Sequence, residues 1–371
     1  MARRAPTPTV TAAPADPERS AEPTVKAHDV SHVEFIKTDL GAAEAFFHSF
    51  GLTTVQRTPA ALYLRAAGRG HHCVIVRKGP RAAFGGFGFQ LRPDDEMGLT
   101  KLATLPEAGA IVDLDEPGGG RAVTLTDPDG LRVCVVQGIE LLEPLPTPDP
   151  LLLNNYGQRP RANATQSPVP APAHVLRLGH VVLESPAPRR AIRWYLDTFG
   201  LIVSDYNHLR HRPHDGPMMA FLRCDRDAEP ADHHSLAIVY SPRATYNHSA
   251  YETIDIDDVF TAGAYLSDRG GRRVWGVGRH IQGSQIFDYW TDPDGFIVEH
   301  YADGDVFDAS VPTKYNEWRG SNHQIWGSRP SNAYYGRDLA GLVRDVLRSR
   351  RMSPEFRLIT MSRMMYAARR P

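Results

Sequence analysis

The sequence predicts an α+β chain of four modules, each a strand, a helix and three more strands. Three observations predict it. The chain repeats itself block by block in the same order, each repeat alternates β-rich runs with short amphipathic stretches, and paired apolar runs are joined by tight turns. HHCVIVRKGPRA (71–82) returns as HHSLAIVYSPRA (233–244), an offset of 162 residues. SHVEF…AAEAFFHSFGL (31–52) returns as GHVVL…AIRWYLDTFGL (179–201), with His32 under His180. TDPDGLRVCVV (126–136) returns as TDPDGFIVEHY (291–301), at an offset of 165. Small drifts of this kind are what loop insertions produce.

The second half shows the elements in order. RLGHVVLE (177–184) is a β-branched run and predicts a strand. SPAPRRAIRWYLDTFG follows, with Ile192, Tyr195, Leu196 and Phe199 on one helical face and Gly200 just past the end. AFLRCD and HHSLAIVY predict two more strands. NHSAYETIDI (247–256) opens the next module as a strand, and Asp257 is expected to cap a helix over roughly 258–269. GSQIFDYW and GFIVEHYA then read as a hairpin. The first half repeats this plan.

Residues 1–27, rich in Ala, Pro and Thr, are expected to be a disordered leader; they lack the apolar run of a signal peptide. Residues 28–140 and 175–305 are the two repeats. Between them, 141–174 contains EPLPTPDP and RPRANATQSPVPAPA, a Pro-rich linker. Residues 306–371 form a C-terminal extension, in which Leu339, Leu342, Val343 and Leu347 approximate a helical stripe suited to packing or a subunit contact.

Composition excludes several function classes. A net charge of −1 over 371 residues offers no basic face for nucleic acid or an anionic membrane. No apolar run reaches the roughly 18 residues of a membrane span. Cys73, Cys134 and Cys224 are odd in number and widely spaced, with no disulfide framework or CxxC pair, which favours a reducing cytoplasm. A homo-oligomer is expected.

The halves differ where chemistry would sit. The second carries His180, His248 and Glu299; at the matching places the first carries His32, Gly86 and Cys134. Two imidazoles and a carboxylate leave adjacent positions open on an octahedral metal, the donor set of non-haem Fe(II) oxygenases. A complete set in one half and a broken set in the other fits one catalytic copy and one scaffold. His208, His211 and His214 lie on a Pro/Arg-rich loop whose spacing fits no zinc pattern.

LGHVVL, HHSLAIV, NHSAYETIDIDDV, GRHIQGSQIFDYW and TDPDGFIVEHY, in this order, resemble the type I extradiol ring-cleaving dioxygenases of the vicinal oxygen chelate superfamily, the catechol 2,3-dioxygenases and dihydroxybiphenyl dioxygenases among them. The resemblance spans roughly residues 28–302. It implies modules paired into two glyoxalase/dioxygenase-like barrels, the first degenerate. It also implies Fe(II), or Mn(II) in some members, on His180, His248 and Glu299, with a catechol-type diol and O2 as substrates.

The same resemblance makes His234 the acid/base, Tyr289 a hydrogen-bond partner of a substrate hydroxyl, and His280 a contact of the metal-bound oxygens. Of His233 and His234 only one can enter a pocket, and His71–His72 repeats the pair in the inert half, so a structural reason for the dipeptide stays open. A five-residue hairpin loop, DPDGF, sets Tyr289 opposite Glu299; a four-residue loop sets Asp288 there instead. Gln282–Gly283 replaces an Asn–Asp pair of the biphenyl-type enzymes. Met218, Met219 and Phe221 would favour an apolar ring substituent, with at least one of them core. Rival readings are a metal-dependent isomerase or lyase of the same superfamily and a non-enzymatic small-molecule-binding protein on this fold.

Overall fold

Strand order carries the duplication into three dimensions. In the computed structural model, which describes residues 16–318, 324–331, 334, 339–353 and 355–368, the first half opens with β1 (Asp29–Lys37), α1 (Leu40–Phe50), β2 (Thr53–Arg57), β3 (Ala61–Arg65) and β4 (Val74–Lys78). It continues with β5 (Ala83–Gln90), α2 (Gly98–Leu102), β6 (Val112–Asp113), β7 (Arg121–Thr126) and β8 (Arg132–Gln137). The second half opens with β9 (Val175–Ser185), α3 (Pro188–Phe199), β10 (Ile202–His208), β11 (Pro217–Arg223), the short β12 (Ala231–Asp232) and β13 (Leu236–Tyr240). Next come β14 (Thr245–Thr253), α4 (Ile256–Asp268), β15 (Arg272–Arg279), β16 (Ile286–Thr291) and β17 (Ile297–Ala302). Short strands β18 (Val306–Phe307), β19 (Lys314–Glu317) and β20 (Trp326–Gly327) precede helices Leu339–Met352 and Leu358–Ala368.

The first sheet runs β2-β3-β4-β1-β5-β8-β7-β6, and the second β19-β10-β11-β13-β9-β14-β17-β16-β15-β20. Without its outer strands β19 and β20, the second order is the first, strand for strand. Each module closes with its first and last long strands parallel, and the two modules of a half meet at an antiparallel pair, β1–β5 or β9–β14.

Local chemistry explains the helices. α3 starts on Pro188, which needs no N–H there, and stops at Gly200 in the left-handed region with φ of 63°. Its inner face buries Ile192, Tyr195, Leu196 and Phe199 completely. α4 begins two residues before the expected position. Asp255, not Asp257, is its cap: Asp255 is extended, and its carboxylate accepts the Asp258 N–H at 2.8 Å. Asp257 falls in the first turn, where negative charge meets the positive end of the helix dipole.

The duplicated TDPDG turns join the halves. In each, the first Asp accepts two backbone N–H groups of its own loop: Asp127 from Asp129 and Leu131, Asp292 from Asp294 and Phe296. Each turn then reaches into the other half. Asp127 accepts the Tyr195 hydroxyl at 2.9 Å, and Asp129 holds Arg190 at 2.9 Å. In return the fully buried Lys37 ammonium donates to Asp292 and, at 2.8 Å, to Asp294, over the face of Phe296. One apolar core runs through both halves, with Phe89 on Phe199 and Phe35 on Tyr246 at the junction.

The leader departs from expectation. Residues 16–27 are ordered against the second half, and residues 1–15 lie outside the described residues. Backbone N–H groups of Thr24, Val25 and Ala27 donate to the carbonyls at the end of α3, Val25 and Ala27 are buried, and Asp16 meets His208 at 2.7 Å. Composition alone hides this because the segment borrows a core it could not build. Between Gly138 and His174 there is no helix or strand, only isolated bridges. The stripe expected in the C-terminal extension is also displaced: Val343 and Leu347 are half exposed, while Val346 and Ser349 pack inward. The side chains of Leu339 and Leu342 lie outside the described residues. No helix among the described residues is long and apolar enough to cross a membrane.

Lys37→Met leaves the Asp292 carboxylate buried without its cation, and is expected to lower unfolding free energy by about 3–5 kcal/mol. Equilibrium urea denaturation reads the loss. The double variant Lys37→Met/Asp292→Asn recovers part of it; an unchanged single variant contradicts the role of this pair.

Candidate metal centre and active-site cavity

Three adjacent central strands, β9, β14 and β17, bring the candidate ligands together. Ala250 lies opposite His180 on one side and opposite Glu299 on the other, so the three form one row across the sheet. His248 precedes Ala250 by two residues and projects from the same face. One donor atom from each of His180, His248 and Glu299 lies within 4.8 Å of the others, the one such group among the described residues. Glu299 Oε2 is 3.4 Å from His180 Nε2 and 3.3 Å from His248 Nε2. The residues are 2%, 4% and 0% exposed.

These residues fit a cation. His248 Nε2 and both Glu299 oxygens are buried and lack hydrogen-bond partners, although they converge. Orphaned polar atoms of this kind are costly unless something satisfies them all. Burial alone would raise the Glu299 carboxyl, yet His180, His248 and His280 hold it well below the usual carboxylate range. The site therefore presents an anion and two imidazoles to one point, the donor set of a two-histidine, one-carboxylate metal.

Supporting contacts aim the ligands. His248 Nδ1 lies 2.7 Å from Asn247 Oδ1, and Asn247 Nδ2 donates to Glu184 at 3.1 Å. Ser241 also donates to Glu184, at 2.5 Å. An Nδ1–H held by the amide oxygen leaves the Nε2 lone pair for a metal. Tyr289 pairs with Glu299 across the β16–β17 hairpin, whose loop is the five residues 292–296. The alternative placement of Asp288 does not occur: its carboxylate is fully buried against Arg273 and Trp290. Tyr289 stacks on Trp275, and its hydroxyl is 3.0 Å from His280 Nε2.

His233 and His234 sit on the connector between β12 and β13, not within a strand as their sequence neighbourhood suggested. They still diverge. His234 enters the cavity with its ring 4.0 Å from that of His180, while His233 turns back to Asp205 at 2.6 Å. Burial, reinforced by His180 and His233, pushes the His234 imidazole well below its ordinary pKa, so the ring is neutral. The inert half keeps the pair, with the same 3.1 Å between Nδ1 atoms. It has no counterpart of the Asp205 contact: Gln56 follows Leu52 at the spacing of Asp205 after Leu201.

Register also shows how the first site closed. His32 lies opposite Gly88, and Gly88 opposite Cys134, just as His180, Ala250 and Glu299 line up. Gly86 stands two residues before Gly88, in the place of His248. A Cβ there would meet the Arg132 carbonyl at 2.6 Å, so a histidine has no room. Glu34 instead binds Arg77 at 2.9 Å and Arg132 at 3.2 Å.

The metal face opens into a cavity of about 530 Å3. His234, His280 and Tyr289 line it beside His180 and His248, as do Met219 and Phe221; Met218 is core. Gln282 is at its wall and Nε2 lies 3.4 Å from Asn207. The C-terminal extension, read from sequence as packing or subunit contact, supplies Trp318, Pro330, Tyr334, Met361, Met364 and Met365 to the lining. No pattern in the sequence marked these residues, nor Glu184 or Asp205, because each is brought in by tertiary packing. His208 meets Asp16 and His214 lies near Asp215, and among the described residues His208, His211 and His214 form no metal-ligating group.

Four repeated modules carrying one buried two-histidine, one-carboxylate group define a protein of the vicinal oxygen chelate type. Residues 177–300 match the Glyoxalase/Bleomycin resistance protein/Dioxygenase superfamily. Metapyrocatechase 2 of Cupriavidus necator is 32% identical over 293 residues, covering 78% of this chain and 85% of that protein. Biphenyl-2,3-diol 1,2-dioxygenase of Metapseudomonas furukawaii is 30% identical over 124 residues, 33% of this chain and 39% of its own length. Among solved structures, homoprotocatechuate 2,3-dioxygenase of Brevibacterium fuscum in its anaerobic substrate complex aligns with TM-score 0.69 at 19% identity, covering 87% of this chain and 97% of that one. A Mn(II)-bound glyoxalase of Novosphingobium aromaticivorans aligns at 0.68 and 23% identity, covering 83% and 94%. The chain belongs to the extradiol ring-cleaving dioxygenases of this superfamily.

Glu299→Ala and His248→Ala are each expected to abolish stoichiometric Fe(II) binding, measured by anaerobic calorimetry with circular dichroism unchanged. Asn247→Ala, which frees the His248 ring, weakens binding by about 10–100-fold. Undiminished affinity in the ligand variants contradicts the assignment.

Proposed function

We propose that this chain opens the ring of a catechol-type diol with O2, extradiol to the hydroxyls, at Fe(II) held by His180, His248 and Glu299, with Mn(II) as the alternative metal. Both oxygen atoms of O2 enter the product, a 2-hydroxymuconic semialdehyde-type compound. The single observation that carries this reading is the buried ligand triad opening into a cavity that also holds His234 and Tyr289. Bound there, the metal supplies open positions for the diol and O2 and the electron transfer between them.

The protein's own groups handle orientation and protons. His234 faces the cavity beside His180 and is placed to exchange a proton with a substrate oxygen, the role general acid–base catalysis asks of histidine. Burial and the adjacent Glu299 hold the Tyr289 hydroxyl well above its usual pKa, so it stays protonated and donates to a substrate oxygen. His280, 3.0 Å from Tyr289 and stacked on Phe287, orients that hydroxyl and borders the reacting oxygens. The apolar walls exclude bulk water from the ring.

Residues 175–305 act as the catalytic unit and 28–140 as its scaffold. A cytoplasmic location suits three buried, unpaired cysteines. Half-exposed Val343, Leu347, Leu358 and Ile359 on the last two helices suit a subunit contact.

Protein loaded anaerobically with Fe(II), then mixed with catechols in air, should form a yellow ring-opened product, followed by absorbance. His234→Ala is expected to lower kcat by about 10²–10⁴-fold with metal content intact. No colour from any catechol contradicts the activity, and an undiminished kcat contradicts the role of His234.

A further inference from the structure

We infer that the chain selects catechols bearing a bulky, uncharged, apolar ring substituent, held against a wall that its own C-terminal extension builds; the inference rests on the ring cleavage proposed above. Size is the first argument. The cavity measures about 530 Å3, whereas roughly 150 Å3 already accommodates a benzene ring. A bare catechol at the metal would leave most of the volume open, and a space of this size fits a larger ligand.

The chemistry of that remaining volume is the second argument. The wall is formed by Met219 and Val239 from β11 and β13, together with Trp318, Met361, Met364 and Met365 from the extension. Thioethers on unbranched side chains adapt to flat or irregular apolar groups and pack well against aromatic rings. Charge is the third argument. Among the described residues that line the cavity there is no Lys or Arg. The carboxylate among these lining residues, Glu184, is engaged by Ser241 and Asn247 and lies 3.6 Å from Arg243, which also meets Asp345 at 3.3 Å. A carboxylated substituent would therefore meet no cation among the described lining residues, and the neighbouring Arg243 is already committed to Glu184 and Asp345, so its burial is unfavourable.

The wall is also anchored. Trp318 donates its indole N–H to the Met364 carbonyl at 3.2 Å. The Tyr240 hydroxyl exchanges hydrogen bonds with the backbone of Arg357, at 2.8 and 3.0 Å. Arg363 pairs with Asp215 at 3.0 Å. Tyr240, Trp318, Phe356 and Met361 share one small core with Leu209 and Met218 of the second half. Six side chains from distant points are thus held at the mouth of the metal site.

The test compares catechol, 3-phenylcatechol and 3-(2-carboxyethyl)catechol on the full-length Fe(II) protein. Anaerobic binding is read by quenching of tryptophan fluorescence, since Trp275 and Trp318 line the cavity; aerobic kcat/KM is read separately by product absorbance. Expected is tighter binding and higher kcat/KM for the phenyl compound than for catechol, by about tenfold or more, with the carboxylated compound weakest. Met361→Ala/Met364→Ala brings the phenyl-to-catechol ratio toward one. Met364→Arg, which supplies the missing cation, raises affinity for the carboxylated compound several-fold and remains informative if the double variant fails to fold. Equal binding of the three compounds, or tightest binding of the carboxylated one, overturns the inference. The expected order of binding without ring opening of any compound would uphold the selectivity and defeat the cleavage reading instead.

Discussion

Strand register is the constraint on which everything else rests. Side chains alternate along β9, β14 and β17, so a one-residue slip of any of them would turn a ligand to the opposite face. The row His180–Ala250–Glu299 and the diagonal position of His248 exist only in the observed pairing. That pairing is pinned on both sides: by the apolar core beneath the sheet, and by the five-residue hairpin that sets Tyr289 against Glu299. Buried polar atoms of His248 and Glu299 that have no hydrogen-bond partner are brought to one point by that pairing.

Much of the fold's stability lies between the halves. The repeated TDPDG motif persists in both copies because it is structural in both: each turn closes its own loop and then binds the partner half through Tyr195 and Arg190, or through Lys37. What the copies do not share is the ligand row. In the first half the Arg132 backbone leaves no room for a side chain at Gly86, and Glu34 pairs with Arg77 and Arg132. The first half still contributes core, hydrogen bonds and a buried cation to the second.

The legible part of the molecule was the part encoded by period and repetition. Alternating apolar residues and the ordered repeats, at offsets of 148, 162 and 165 residues, disclosed the modules and singled out His180, His248 and Glu299 against His32, Gly86 and Cys134. The placement of Tyr289 was readable to within one loop residue, because hairpin length alone decides which side chain faces Glu299. Features made by tertiary packing were not readable. Asp205 behind His233, Glu184 behind Asn247, and the methionines of the last helix sit in segments with no period that points at the metal. The order of residues 16–27 is hidden for the same reason: their composition is that of a disordered segment, but they dock on a surface that the rest of the chain provides.

The central claim is that two imidazoles and one carboxylate, brought together by register, hold the catalytic metal. X-ray absorption at the iron edge of the Fe(II)-loaded protein, taken with and without bound catechol, tests it most directly. The account predicts two histidine nitrogens and a carboxylate oxygen as protein donors in both spectra, with lighter solvent donors replaced by diol oxygens when substrate is added. A spectrum dominated by sulfur or by three or more imidazoles, or one unaltered by catechol, would contradict it.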